Sequence, residues 1–331
     1  MSLIRKLNAK AETAINTGYG TNSADYGGRF INKSGQANIE KRGLPFFERI
    51  SWFHTLLSMG IWKFLLVIIV FFVSVNLAFA AVYYFIGVEN LNGMNTGTEW
   101  EKFGEAFFFS TQTFTTVGYG RISPSGFGTS AIAAFESLLG LLTFSLATGL
   151  FYGRFSKPKA YLKFSHNAII APYKDITALM LRVAPFKNAT LTDAEAKLTL
   201  GMTVEENGMP VNKFFPLQLE YDKVNALNLS WTIVHPITEN SPLFRFATED
   251  FANTRGEIII FLKAFDDMFS NTVVTRSSYT FKEVVTGARF TPMYHRSDEG
   301  NKTILDLEKI NSFVEADLSK AYAGVQQVLS S

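Results

Sequence analysis

The stretch TEWEKFGEAFFFSTQTFTTVGYGRISPSG, residues 98–126, decides the fold, and within it the string Thr116-Val117-Gly118-Tyr119-Gly120. From Trp100 to about Thr113 the residues suit a helix too short to cross a bilayer. Gly118 and Gly120 then stand at alternate positions and tolerate positive φ. Alternating dihedrals of this kind set backbone carbonyls on one line. A dehydrated K⁺ needs about eight oxygens, which four such strands supply, and this five-residue string is the potassium-filter pattern. The short helix ahead turns its partly negative C-terminal end toward the same place, favouring a cation. Non-helical backbone at membrane depth is tolerated where it lines an aqueous path inside protein.

The chain carries its own control. Gly18-Tyr19-Gly20 also reads G-Y-G, but it sits in a polar tail with no apolar helix before it and reads as coil. At 116–120, Thr-Val precedes the glycines and apolar segments flank both sides. A re-entrant glycine-rich turn of structural use only is the competing view.

Those flanking segments are long enough to span a bilayer. FLLVIIVFFVSVNLAFAAVYYF (64–85) holds no charge, and its length at about 1.5 Å per residue covers roughly 33 Å. The second runs from Phe127 to Phe155 with Glu136 as its one charge before Arg154, and with glycines at 140, 149 and 153. An intramembrane acid is functional by default; bracing of the pore helix is the simplest role for Glu136. The polar first 60 residues argue against a signal peptide. Arg29, Lys33, Lys41, Arg42, Arg49 and Lys63 precede or open the first span, and Arg154, Lys157, Lys159, Lys163 and Lys174 close or follow the second. Only Lys102 and Arg121 lie between, against four glutamates, so both termini are expected in the cytoplasm.

The remaining composition agrees. Of 331 residues, 47% are apolar, only 18% are charged, and 32 are Phe. Average globular chains carry about 25% charge, so apolar surface is expected to face lipid. The mean hydropathy of +0.11 is nevertheless too low for a many-span transporter. A net charge of +2 does not suggest nucleic-acid binding. The absence of cysteine excludes disulfides, thiolate metal sites and cysteine nucleophiles.

The chain thus reads as a disordered tail (1–28), a cytoplasmic N-terminal segment (29–43), a slide helix (44–58), a pore domain (59–158), a cytoplasmic β domain (159–315) and a C-terminal tail (316–331). In the slide helix Phe46, Ile50, Phe53 and Leu57 share a face. That face suits the membrane interface, and a buried connector is the alternative. In the β domain, Ala194, Ala196, Leu198 and Leu200 alternate with polar residues, as do Phe215, Leu217, Leu219 and Tyr221. Further β-rich runs cover 179–183, 229–234, 257–262 and 272–275, separated by turn signals, which predicts a β-sandwich.

Taken together, RFINKSGQANI (29–39), TQTFTTVGYG (111–120), GRFSKPKA (153–160), LSWTIVHPITENSPLF (229–244) and TRSSY (275–279) resemble prokaryotic inward-rectifier potassium channels of the KirBac type. The resemblance covers nearly all of residues 29–313. It implies a homotetramer of two-span pore domains, with one ion pathway continuing through immunoglobulin-like cytoplasmic sandwiches. K⁺ is then the permeant ion, and no cofactor is implied.

Residue by residue, the resemblance gives Thr116 a hydroxyl and a carbonyl at the innermost filter site, and gives Val117, Gly118 and Tyr119 carbonyls. Tyr152 matches a bulky ring near the inner-helix bundle crossing, a gate by steric bulk and dewetting; an interfacial aromatic belt also accounts for it. Gly140 and Gly149 match inner-helix glycines, serving as bending points or for close packing. Lys63, Arg154, Lys157 and Lys159 form a cytoplasmic basic cluster that suits anionic or phosphoinositide headgroups, or simply sets topology. The loop Ala264–Phe269 matches a cytoplasmic constriction where Asp266 and Asp267 supply negative potential, or are a solvated turn. Three departures stand out. Gln112 replaces a glutamate common in the family, leaving a neutral–charged pairing with Arg121. Phe144 occupies the pore-lining position that is acidic in strong rectifiers, so strong polyamine rectification is not expected. Ala264 replaces glycine, which implies a stiffer loop.

Two other functions compete. A membrane-anchored enzyme fares badly, because His54, His166, His235 and His295 are scattered and no catalytic motif is present. A lipid- or ligand-sensing membrane protein with a poorly conducting pore fits the basic cluster equally well. No cysteine pair flanks the filter, unlike eukaryotic members, so a bacterial inner membrane is expected.

Overall fold

The computed structural model describes residues 29–43, 45, 51–95, 97–187, 190–206 and 209–318. The tail 1–28, the slide-helix positions Phe46 and Ile50, and most of the C-terminal tail lie outside the described residues. The chain forms two compact units, residues 42–157 and residues 1–41 with 158–331.

In the first unit, α1 (Trp52–Ser58) starts where the Ser51 side chain accepts from the His54 backbone N–H. Trp52 and Phe53 stand exposed on it. The helix α2 (Ile61–Ile86) is bounded by Gly60 and by Gly87 at φ 114°. It therefore extends three residues ahead of the expected span and one beyond it. A short strand β1 (Leu91–Asn92) leads to α3 (Glu99–Phe114), the expected short helix. A capping box opens α3: Thr98 Oγ1 accepts from Glu101 N–H, and the Glu101 carboxylate accepts from Thr98 N–H at 2.7 Å. The strand β2 (Ser123–Pro124) pairs with β1, and α4 (Phe127–Phe155) follows. Both α2 and α4 are long and apolar enough to cross a membrane, and most of their surface is unburied within one chain. Ala80, Tyr83, Ala106, Phe109 and Ala133 form the packed core among the three long helices.

The second unit is a sandwich of two five-stranded sheets. Its strands are β3 (Leu162–Phe164), β4 (Ala168–Tyr173), β5 (Ile176–Pro185), β6 (Leu191–Glu206), β7 (Met209–Leu217), β8 (Lys223–Ala226) and β9 (Trp231–Pro236), then, after the short α5 (Thr248–Asn253), β10 (Gly256–Asp266), β11 (Asn271–Thr280) and β12 (Val284–Thr286). One sheet runs β11-β10-β6-β7 with β8 on β6; the other runs β12-β4-β5-β3 with β9 on β5. Side chains alternate as expected, and Ala194, Ala196, Leu198, Leu200, Leu179, Leu181, Ile233, Ile258 and Ile260 share one core. A bulge interrupts the β6–β10 register at Asp193, whose φ is 46°. The alternating run at 215–222 leaves the sheet after Leu217. There the chain crosses between sheets: Glu220 N–H donates to Val234 O on β9, and Asp222 O accepts from Ala196 N–H on β6.

Residues 29–39 are built into this unit as an arm. Ile31 and Ala37 bridge across a turn, and Phe30 and Ile31 pack with Phe214 and Ile259. Glu257, wholly buried, accepts the backbone N–H groups of Phe30 and Ile31. Ser278 Oγ donates to Ile31 O, and Glu283 pairs with both Arg29 and Lys33. Gly35 allows the turn: its φ is 82°, and an added Cβ would lie 2.6 Å from Arg276 O.

Candidate functional site

The string 116–120 follows directly on α3. Thr115 and Thr116 continue its hydrogen bonding to Thr111 O and Thr113 O, and then the ladder stops. Val117 and Gly118 N–H both turn back to Gln112 O, at 2.9 and 3.2 Å. φ is positive at Thr116 (60°), Gly118 (52°) and Gly120 (82°). The alternation is thus present at three positions rather than two. A left-handed threonine costs about 1–2 kcal/mol, so the surroundings hold this conformation in place. Val117 and Tyr119 point away from the chain's own core and stand exposed.

Arg121 anchors the far end of this strand, and Glu136 and Gly140 pack against α3, from which it starts. Arg121, next after Gly120, donates to Glu105 Oε1 at 2.8 Å and to Gly93 O. This corrects the expected pairing with Gln112, whose role is played by its backbone carbonyl. The Arg121 hydrogen bond holds the Glu105 carboxylate below its ordinary range. Sequence reading missed Glu105 because its partner lies 16 residues away with no local periodicity to signal it. Glu136, wholly buried, accepts from Tyr83 Oη at 2.6 Å and is hydrogen-bonded to Ser110 of α3. Gly140, one turn further along α4, sits against the end of α3: a Cβ there would lie 1.9 Å from Phe114 O. The close approach of α3 leaves no room for a side chain at this position. Gly149 has open space around its Cα.

A recess of about 380 Å³ brings Thr116 and Phe144 to one side of the unit, with Phe72 and Gly140 in its wall. Phe144 and Tyr152 are exposed in the single chain. Of the basic cluster, Lys63 and Lys157 are exposed, and so is Lys159 in the other unit. Arg154 is engaged: it donates to Leu56 O and Met59 O, the closing carbonyls of α1, and lies 5.1 Å from the Phe64 ring centre.

The expected loop constriction needs correction. Ala264 lies within β10 and faces the sandwich core. The carboxylate of Asp266 is buried and accepts from Met268 and Phe269 N–H, closing its own turn. Only Asp267 is exposed, and it accepts from Thr192 Oγ1 at 3.0 Å. The turn itself is residues 267–270.

His235 is buried, with Nδ1 donating to Gln218 O at 2.6 Å and Nε2 accepting from Ser241 Oγ at 2.8 Å. Burial pushes it down to about 4. Among the described residues no group of three or more His, Asp or Glu could hold a metal ion.

Comparison with known proteins bears on the whole arrangement. A family model described as the inward rectifier potassium channel C-terminal domain matches residues 162–328, and an ion channel model matches residues 65–157. The inward rectifier potassium channel Kirbac3.1 of Paramagnetospirillum magnetotacticum is 29% identical over 292 residues, covering 87% of this chain and 96% of that protein. Among solved structures, the sporulation control protein Spo0M of Bacillus subtilis matches at a TM-score of 0.22 and 9% identity, over 41% of this chain and 58% of its own. An alkylpurine DNA glycosylase of Pseudomonas fluorescens matches at 0.18 and 10% identity, over 58% of this chain and 49% of its own. Scores this low carry no argument for fold or function.

Proposed function

This chain belongs to the inward rectifier potassium channel family, and on that premise we propose that four copies form a passive, K⁺-selective pore with residues 116–120 as its filter. The observation that carries the reading is the alternation of left-handed backbone at Thr116, Gly118 and Gly120, set at the end of a short helix between two spans. Carbonyls aligned by such a backbone replace the hydration shell of K⁺. The Thr116 hydroxyl adds the innermost ligand, and Val117, Gly118 and Tyr119 add carbonyls. Glu105, Arg121 and Glu136 hold the strand's position.

Gating follows at the cytoplasmic end. Four Tyr152 rings close the path by bulk and dewetting, with Gly149 as the bending point. Lys63, Lys157 and Lys159 recruit anionic headgroups, phosphoinositides included, while Arg154 couples the slide helix to the inner helix. Phe144 leaves no acid for polyamines, so strong rectification is absent. Both termini face the cytoplasm of a bacterial inner membrane, and no nucleic acid is a partner.

Reconstitution into liposomes tests this. K⁺ flux blocked by Ba²⁺ and absent with Na⁺ is expected, and Gly118→Ala should abolish the discrimination. Unchanged selectivity in that variant defeats the filter assignment. Lipid binding without flux would favour instead a sensor whose pore conducts poorly.

A further inference from the structure

Four buried polar side chains lie where α2, α3 and α4 meet. Asn76 Nδ2 donates to Phe72 O at 2.8 Å, and Asn76 Oδ1 is 3.0 Å from Ser110 Oγ. Ser110 Oγ is also hydrogen-bonded to Glu136 Oε1, and Glu136 Oε2 is 2.6 Å from Tyr83 Oη. Asn76, Ser110 and Glu136 are wholly buried, and Tyr83 nearly so.

The protons can be counted. Ser110 has one hydroxyl proton, yet its oxygen contacts two groups that only accept if Glu136 is ionised. Tyr83 uses its own proton on Oε2. Turning the Asn76 amide over would aim an N–H at Ser110, but would place Oδ1 against Phe72 O at 2.8 Å, oxygen on oxygen. One further proton on Glu136 Oε1 satisfies every contact: Glu136 donates to Ser110, and Ser110 donates to Asn76. Among the described residues no cation pairs with Glu136, so an ionised form would be a buried, uncompensated charge.

We propose that Glu136 works as a neutral acid, giving its proton to Ser110, and thereby positions the pore helix between the two spans. Position 140 lies four residues beyond 136 on α4, and position 114 four beyond 110 on α3, so the two helices meet at two successive turns. The upper contact is the Glu136–Ser110 hydrogen bond, and the lower is Gly140 against Phe114 O. Thr116 follows two residues later. The positioning role rests on the filter reading above, whereas the proton itself does not.

Infrared spectroscopy of the reconstituted channel with ¹³C-labelled glutamate reads the proton. A protonated-carboxyl stretch that vanishes in Glu136→Gln is expected, and its absence from the unsubstituted channel overturns the proposal. Flux reads the positioning. Glu136→Leu should lower K⁺-over-Na⁺ selectivity roughly tenfold, the scale of one lost buried hydrogen bond, and Glu136→Gln, whose amide can donate to Ser110, should restore most of it. If the leucine variant does not assemble, Ser110→Ala takes its place with the same expected loss. A glutamine variant as poor as the leucine one overturns the proposal. So does full selectivity in the leucine variant when Gly118→Ala has lost it; intact selectivity in Gly118→Ala is instead the failure of the filter reading.

Discussion

At Gly140 the inner helix has no room for a side chain. A Cβ would lie 1.9 Å from the Phe114 carbonyl oxygen, a backbone atom that cannot rotate away. Gly140→Ala must push the pore helix aside, at a cost of about 1–3 kcal/mol. The expected result is a lower Tm of the solubilised tetramer and loss of K⁺ selectivity; Gly149→Ala, whose Cβ meets nothing within its own chain, should lower the Tm less. His235 makes a second residue-scale prediction. Its imidazole is neutral when folded and takes a proton only near pH 4, against 6.5 for the unfolded chain. Its contribution is therefore complete above about pH 6.5 and is lost as pH falls toward 4, with on the order of 3 kcal/mol at stake. Thermal unfolding across pH 7.5 to 5 should show the loss, and His235→Gln should flatten it.

At the scale of elements, the arm 29–39 and the filter strand are each held by a carboxylate distant in sequence. Glu257→Ala removes the buried carboxylate that accepts from the Phe30 and Ile31 amides, at about 1–3 kcal/mol. The arm should then become open to protease while the sandwich stays folded, which limited proteolysis with mass mapping measures. Glu105→Gln removes the ionic half of the Arg121 contact beside the filter. The expected outcome is K⁺ flux that declines faster with time, restored by Glu105→Asp if charge is what matters.

Element scale is also where legibility changes. The spans, the short helix and the inward alternation of β6 were readable because each depends on local periodicity. The Glu105–Arg121 pair, the Glu257 seat for the arm and the inward turn of Asp266 were not, because each depends on segments brought together by the fold. Gln112 illustrates the limit: its side chain was read for a pairing, while the fold uses its carbonyl.

For the whole molecule, the tetrameric reading places Phe144 on the ion path, on the same side as Thr116. Phe144→Asp would then ring that path with four carboxylates and attract polycations. Spermine should block flux in this variant and not in the unsubstituted channel. No gain of block would mean that position 144 faces lipid.

The chain passes between its two units twice, at 41/42 and again at 157/158, with the arm seated on the sandwich before the first crossing and β3 paired into it after the second. A domain joined at one end only can be removed by a single cut; one joined at two needs both cut. Here the backbone itself makes two joins, one on the way to α1 and one just past the end of α4. Arg154 clips α1 and α4 together, so the two helices nearest those joins share one fastening within their own unit.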